Sequence, residues 1–320
     1  MGLFKKMITV FTPTYNRASL LYRIYNCLCH QTFQEFEWVI IDDGSTDDTE
    51  QAVRILIDRK CANYPIRYYK KPNGGKHTAI NRAVEIAQGE LFLILDSDDT
   101  LPYNSLHIIN DHYQPIKMIS DLGGVCGLMA HHNGERIGSG FSEDDMEVDE
   151  ISLRYQHHVT GDLAEVFKTS VLREHPFPEI PDERFCPEQL VWFRIAQKYK
   201  LRCFNQIIYY RDYLEGGLTD RIVKIRMESP LASMMTYQEL LDLDFQKYNL
   251  SWKVRTKAAI NYWRFRLCCT SHHKQTILNR GLTIPSVKIG YFLHFIPGYL
   301  MHIWDLERIR RKLNFKNEKS

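Results

Sequence analysis

Short apolar runs alternate with helix-period stretches along the first hundred residues. Met7 to Thr12 reads as a strand, and Ala18 to Gln31 spaces its apolar residues like a helix. Phe36 to Ile41 is a second strand. Thr46 to Lys60 follows as a helix, with Ser45 or Thr46 as its cap and acidic residues in its first turn. Ile66 to Tyr69 is a third strand, Thr78 to Ala87 a helix, and Leu91 to Leu95 a fourth strand. Such alternation with short connections predicts a parallel sheet with helices on both faces. Leu122 to Ala130 then reads as a central strand, with Glu165 to Phe167 and Leu201 to Tyr210 as further strands. Between them Glu188 to Lys198 reads as a helix, with Leu190, Val191, Phe193 and Ala196 on one buried face. From about Ile222 strand patterns vanish, and helical segments rich in Trp, Tyr, Arg and Lys take over.

Composition narrows the class without naming it. The chain has 320 residues, 44% hydrophobic and 25% charged, which is ordinary for a globular protein with a sizeable core. A formal net charge of +2 argues against a nucleic-acid partner on charge grounds. The 8 cysteines show no zinc or disulfide spacing and are expected to be reduced, as in a cytoplasmic protein. Met1-Gly2-Leu3-Phe4-Lys5-Lys6 leads straight into the first strand, so no signal peptide is expected. The longest apolar candidate, Tyr291 to Trp304, is short for a membrane span and is interrupted by Pro297-Gly298.

The chemistry concentrates where strands end. Leu91-Phe92-Leu93-Ile94-Leu95 stops in Asp96-Ser97-Asp98-Asp99-Thr100. Ionised carboxylates at the end of a buried strand need either a cation or a solvated exit. Asp-x-Asp on such a loop suits Mg2+ or Mn2+ held against a substrate diphosphate, and a solvated acidic turn is the simpler alternative. Strand one ends in Thr12-Pro13-Thr14-Tyr15-Asn16-Arg17, strand two in Asp42-Asp43-Gly44-Ser45-Thr46-Asp47, and strand three leads to Asn73-Gly74-Gly75-Lys76-His77. Open α/β sheets bind ligands beyond the carboxyl ends of their strands, so these loops are expected to share one cleft. Gly74-Gly75 lets backbone approach a ligand closely, and Lys76 can neutralise diphosphate charge. The spacing of a P-loop is absent.

These motifs together, P-T-Y-N-R, D-D-G-S-T-D, N-G-G-K-H-x-A-x-N and D-S-D-D, resemble those of the family 2 glycosyltransferases over residues 7 to 220. The resemblance implies an α/β GT-A fold: a Rossmann-like, nucleotide-binding mixed sheet flanked by helices, here with a C-terminal helical extension. It implies a catalytic domain over 1–220, with its donor-binding half at about 1–100 and its acceptor half at about 101–220, then a helical region over 221–320. It also implies inverting transfer from a UDP-sugar to a saccharide or lipid-linked acceptor in bacterial cell-surface glycan synthesis. Asp42 or Asp43 would accept from the uracil N–H, Asp43 being preferred; Asp42 could equally cap the next helix. Thr12, Pro13, Thr14 and Arg17 would frame base and diphosphate. Gly75, Lys76 and Asn81 would serve the donor site, and Asp96, Ser97 and Asp98 the ribose and metal. Asp98 is the foremost candidate ligand for Mn2+ or Mg2+, with Asp96 beside it. Tyr15 and His77 read equally well as local packing or hydrogen-bonding residues.

Inversion needs a base opposite the leaving nucleotide. Where the family carries a Glu-Asp pair, this chain has Glu188-Gln189, so Glu188 is the expected base. Asp182 and Glu183 are the alternatives, and Glu188 could instead only complement a helix N-terminus. Asp162 is expected near donor or acceptor sugar, and Tyr213 to Thr219 reads as a closing loop. Gln189 to Arg194 lacks the Q-x-x-R-W spacing of processive members, so one sugar per encounter is expected. The rival reading is a haloacid-dehalogenase-type phosphatase with Asp96 as nucleophile, since D-x-D-x-T follows an apolar strand. It suffers from the α/β pattern that precedes the motif and from Val166, where a downstream Asp is required. Residues 287 to 313 pair aromatic and apolar positions with Arg308, Arg310, Arg311 and Lys312, which suits either an anionic membrane surface, which the resemblance implies is the inner face of the plasma membrane, or a packed helix with a solvated basic end.

Overall fold

Strands that are buried along nearly their whole length can form only where helices cover both faces of a sheet. The computed structural model, which describes residues 6–59, 62–211, 218–270, 273 and 293–317, shows such strands. They are β1 (Ile8–Thr14), β2 (Phe36–Asp42) and β4 (Leu91–Ile94), whereas β3 (Ile66–Lys70), at the edge of the sheet, is only partly buried. Every residue of β2 is buried. The sheet continues with β5 (Leu122–Ala130), β6 (Met146–Val148), β7 (Leu163–Lys168) and β8 (Lys200–Tyr210), in the order β3-β2-β1-β4-β7-β5-β8-β6. The first four strands are parallel to one another. The parallel reading of the first hundred residues holds, and β5 and β8 are also parallel to each other. β7 runs antiparallel to both β4 and β5, and β6 antiparallel to β8, so the sheet is mixed.

Helices α1 (Ala18–Cys29), α2 (Thr49–Asp58) and α3 (Lys76–Ile86) connect the parallel strands. Helix α4 (Ser105–Tyr113) buries Leu106, Ile109 and Tyr113, while α5 (Glu150–Tyr155) and α6 (Thr169–Glu174), like β6, are too short to show a period in the sequence. Helix α2 begins later than expected. Thr46 N–H is held by Asn16 Oδ1 at 2.8 Å and Ser45 N–H by Asp42 Oδ1 at 2.7 Å, so neither residue caps it. Thr14 pairs with Asp42 and Asp42 with Lys70, so the three strands end level. β4 ends beside Phe11, whose carbonyl accepts from Leu95 N–H at 2.8 Å.

Glu37 of β2 is a buried carboxylate between the parallel strands. Glu37 accepts from Thr9 Oγ1 and Gln88 N–H, each at 2.7 Å, and from Arg67 Nη1 at 2.8 Å. A buried carboxylate is costly unless it is paired and hydrogen-bonded, and Glu37 has three donors, one of them charged.

Contacts divide the chain into two compact units, 1–177 with 194–212, and 178–193 with 213–320. The second unit contains α8 (Leu218–Glu228), α9 (Pro230–Asp242), α10 (Trp252–Arg266) and α11 (Phe295–Asn317), while α7 (Glu188–Ala196) straddles the division. Arg264 on α10 clamps Asp305 on α11, with Nη2 to Oδ1 at 2.7 Å. Glu183 closes the N-terminus of α9: its two oxygens accept from Leu231 N–H at 2.6 Å and Ala232 N–H at 2.9 Å. Burial outweighs those two donors and raises the Glu183 carboxyl to about 7.

In the folded chain Glu183 therefore holds a proton that the unfolded chain releases in the ordinary carboxylate range. Its contribution to stability is greatest at acid pH and is lost as pH rises through about 7. Denaturant unfolding of wild type and Glu183→Gln across that window should show wild type losing stability relative to the variant as pH rises. Parallel pH profiles would contradict this.

Candidate active site

The site begins with a carboxylate that burial forces into partnership. Asp43 follows β2 and is nearly fully buried, and its N–H donates to Thr14 O at 2.9 Å. Its Oδ1 accepts from Lys71 Nζ at 2.6 Å and Gly74 N–H at 3.0 Å. Its Oδ2 accepts from Gly75 N–H at 2.7 Å. The Asn73 side chain donates to Asp43 O at 2.9 Å, so this one residue holds the whole glycine loop against β2. Gly75 sits at φ +94°, a conformation that favours glycine, and starts α3. A Cβ on Gly44 would stand 2.9 Å from Asn73 N, so the two loops touch backbone to backbone.

Asp42 is also buried. It accepts from Ser45 N–H at 2.7 Å and Tyr68 OH at 2.6 Å, which makes it an organiser of its own turn. Asn16, at φ +53°, joins the first loop to the second: its N–H donates to Ser45 Oγ at 2.8 Å, and its Oδ1 accepts from Thr46 N–H.

Lys76 projects from the first turn of α3 to the acidic loop, with Nζ 2.6 Å from Asp96 Oδ1 and 2.9 Å from Oδ2. Arg17 Nη1 lies 3.5 Å from Asp98 Oδ2, and Arg23 donates to Asp98 O. Asp96 and Asp98 side chains are about one-third exposed, at 27% and 32%. Ser97 is buried between them. Asp99 points inward and accepts from Tyr209 OH at 2.8 Å, while the same hydroxyl accepts from Asp96 N–H at 3.0 Å. Burial, with the charge of Asp96 second, raises the Asp99 carboxyl to about 7. Beyond Tyr209, Arg211 Nη1 donates to Asp162 Oδ2 at 2.9 Å.

The first unit thus gathers Thr14, Arg17, Asp42, Asp43, Gly75, Lys76, Asp96, Ser97 and Asp98 along one sheet edge. Other expected residues have local tasks. Thr12 lies wholly buried, accepting from Trp38 Nε1 at 3.0 Å, and Pro13 continues β1 beside Ile41. Asn81 exchanges two hydrogen bonds with the backbone of Phe177, both 2.9 Å. Thr14 Oγ1 is buried and makes no hydrogen bond, an orphaned hydroxyl at the end of β1. Glu188 is half-buried at the first position of α7, in the second unit. Of the expected loop Tyr213 to Thr219, residues 213–217 lie outside the described residues.

Lys71, Asn16, Arg23 and Tyr209 are the residues that sequence reasoning missed. Lys71 carried a signal, a cation directly before the glycine loop. Tyr209 carried none, because an alternating strand does not announce which hydroxyl meets a distant loop.

Residues 9–117 match the family model for glycosyl transferase family 2. They form a family 2 glycosyltransferase domain. That span includes Asp96 to Thr100, which removes the phosphatase reading of the acidic loop. A Campylobacter jejuni protein named GalNAc(5)-diNAcBac-PP-undecaprenol β-1,3-glucosyltransferase is 28% identical over 66% of this chain and 67% of its own. The Staphylococcus aureus poly(ribitol-phosphate) β-N-acetylglucosaminyltransferase TarS is 30% identical over 53% of this chain and 29% of its own. Chondroitin and hyaluronan synthases also match, but over only 18% to 24% of their length. In structure, TarS residues 1–349 with UDP align at a TM-score of 0.60, covering 96% of this chain and 92% of that one at 20% identity. A Pyrobaculum calidifontis mannosyltransferase with GDP-Man and Mn2+ aligns at 0.54 and 18% identity, covering 93% of this chain and 87% of that one. The fold is GT-A.

Tyr209→Phe removes the hydroxyl that satisfies both Asp96 N–H and Asp99. The first unit should lose about 1–3 kcal/mol of stability, the cost of leaving buried polar groups unmatched. Urea unfolding measures it; a midpoint equal to wild type would show that the relay holds nothing.

Proposed function

We propose that the chain is an inverting, cation-dependent glycosyltransferase that moves one sugar per encounter from a UDP-sugar to a saccharide or lipid-linked acceptor, in bacterial cell-envelope glycan synthesis. The observation that carries this reading is the pairing of a cationic glycine loop with an acidic strand-end loop, Lys76 against Asp96 and Arg17 against Asp98. Such a pair of opposite charges offers a diphosphate both a cation and a metal-binding carboxylate. Crystals of TarS with UDP and with UDP-GlcNAc support a uridine donor, and the Campylobacter relative's name supports a lipid-linked acceptor.

Each residue has a task in that reading. Asp43 Oδ2 accepts one backbone donor, and a carboxylate oxygen takes two, so it retains an acceptor position for the uracil N–H. The orphaned hydroxyl of Thr14 supplies a further polar contact beside it. Lys76 is positioned to exchange Asp96 for the diphosphate.

Among the described residues no three His, Cys, Asp or Glu side chains form a cage for a metal. Two partly exposed carboxylates fit Mg2+ or Mn2+ nonetheless, because such ions commonly take one or two protein carboxylates and complete their shell with substrate phosphate and water. Asp98, with Asp96 beside it, would hold the ion, which when bound offsets charge on the departing UDP. Glu188 is the group assigned to take the acceptor hydroxyl proton as that oxygen attacks the anomeric carbon in line.

Calorimetric titration of UDP, GDP, dTDP and CDP, with and without Mn2+, tests the donor reading. UDP should bind in a Mn2+-dependent way, roughly tenfold or more weakly in Asp98→Ala. Glu188→Gln should bind UDP like wild type and lose about 10²- to 10⁴-fold in transfer. Absence of nucleotide binding under every condition, or full turnover by Glu188→Gln, would contradict these assignments.

A further inference from the structure

Helix α11 is fixed in rotation by two features of its inner face. Asp305, wholly buried, is gripped by Arg264 of α10. Gly298 brings the two helices into close contact, since a Cβ there would stand 2.7 Å from Trp263 Cβ and 2.9 Å from Ile260 O. At 100° per residue, the opposite face then carries Ile296, Tyr299, Leu300 and Ile303, with Trp304 and Leu306 on its two flanks. All six are exposed, Ile296 at 68%, Leu300 at 62% and Trp304 at 55%. No Asp, Glu, Lys or Arg occurs from Phe295 to Trp304. Directly after this apolar face come Arg308, Arg310 and Arg311, all exposed, against a single Glu307 that lies 3.6 Å from Arg311. Arg308 sits 5.4 Å over the Trp304 ring, joining the basic end to the aromatic one.

A row of large apolar side chains facing water is costly unless something covers it. No described helix is long and apolar enough to cross a membrane. We infer that α11 lies flat on an anionic lipid surface, with Ile296, Leu300, Ile303 and Trp304 among the acyl chains and Arg310 and Arg311 against the headgroups. Charge complementarity selects this occupant: the cover must be apolar along three turns and anionic at the end. A bilayer boundary offers both. A second copy of this helix face would offer apolar side chains but only Glu307 as an exposed acid against the three arginines. The inference is independent of the donor-site assignments, because it uses only residues of the second unit.

Flotation of the full chain with phosphatidylglycerol-containing vesicles, and with pure phosphatidylcholine vesicles, tests it. The chain should float with the anionic vesicles, at least roughly tenfold less with neutral ones, and less at high salt. Leu300→Glu with Ile303→Glu, and separately Arg310→Glu with Arg311→Glu, should each abolish flotation. All four side chains face outward, and an unchanged helical circular dichroism signal and melting midpoint of the variants will report an intact fold. Equal flotation with both vesicle types, none with either, or a solution dimer that Leu300→Glu dissociates would overturn the inference.

Discussion

A buried carboxylate cannot stay ionised without donors, and Asp43 meets that demand from a segment about thirty residues further on. The amides of Gly74 and Gly75 and the ammonium of Lys71 converge on it. Hydrogen bonds to a charged group are the strong ones, so this single constraint sets where the glycine loop runs and where α3 begins. The start of α3 in turn aims Lys76 at Asp96. Removing the carboxylate would leave two backbone donors and a lysine in a nearly dry place, and the donor loop would lose its geometry before any ligand arrived.

The acidic loop is held from the other side of the sheet. Tyr209 lies on β8, in the mixed half, yet its hydroxyl accepts from Asp96 and donates to Asp99. Asp99 therefore faces inward, which leaves Asp96 and Asp98 as the carboxylates available at the edge. The division of labour follows from burial. Three adjacent acids cannot all be outward ligands when one is needed to fasten the turn.

The parallel half of the fold was legible because buried strands read as unbroken apolar runs and their connecting helices keep a clear period. The mixed half was less so. β7 joins as an antiparallel insert, and α5 and α6 are too short to show amphipathic spacing. Within the site, Asp42, Asp43, Lys76, Asp96 and Asp98 were visible because charge at a strand end needs an explanation. Tyr209 and Asn16 were not, because their importance lies in which distant backbone groups they meet. Thr12 and Asn81 show the converse: residues of a recognisable motif whose side chains hold Trp38 and Phe177 in place.

The central claim is that the glycine loop and the acidic loop are two halves of one nucleotide site, organised by Asp43. Hydrogen exchange of the chain with and without UDP and Mn2+ tests it most directly. Amides of residues 73–76 and 96–100 are expected to become protected together on binding. Protection confined to one loop, or located elsewhere in the chain, would contradict it.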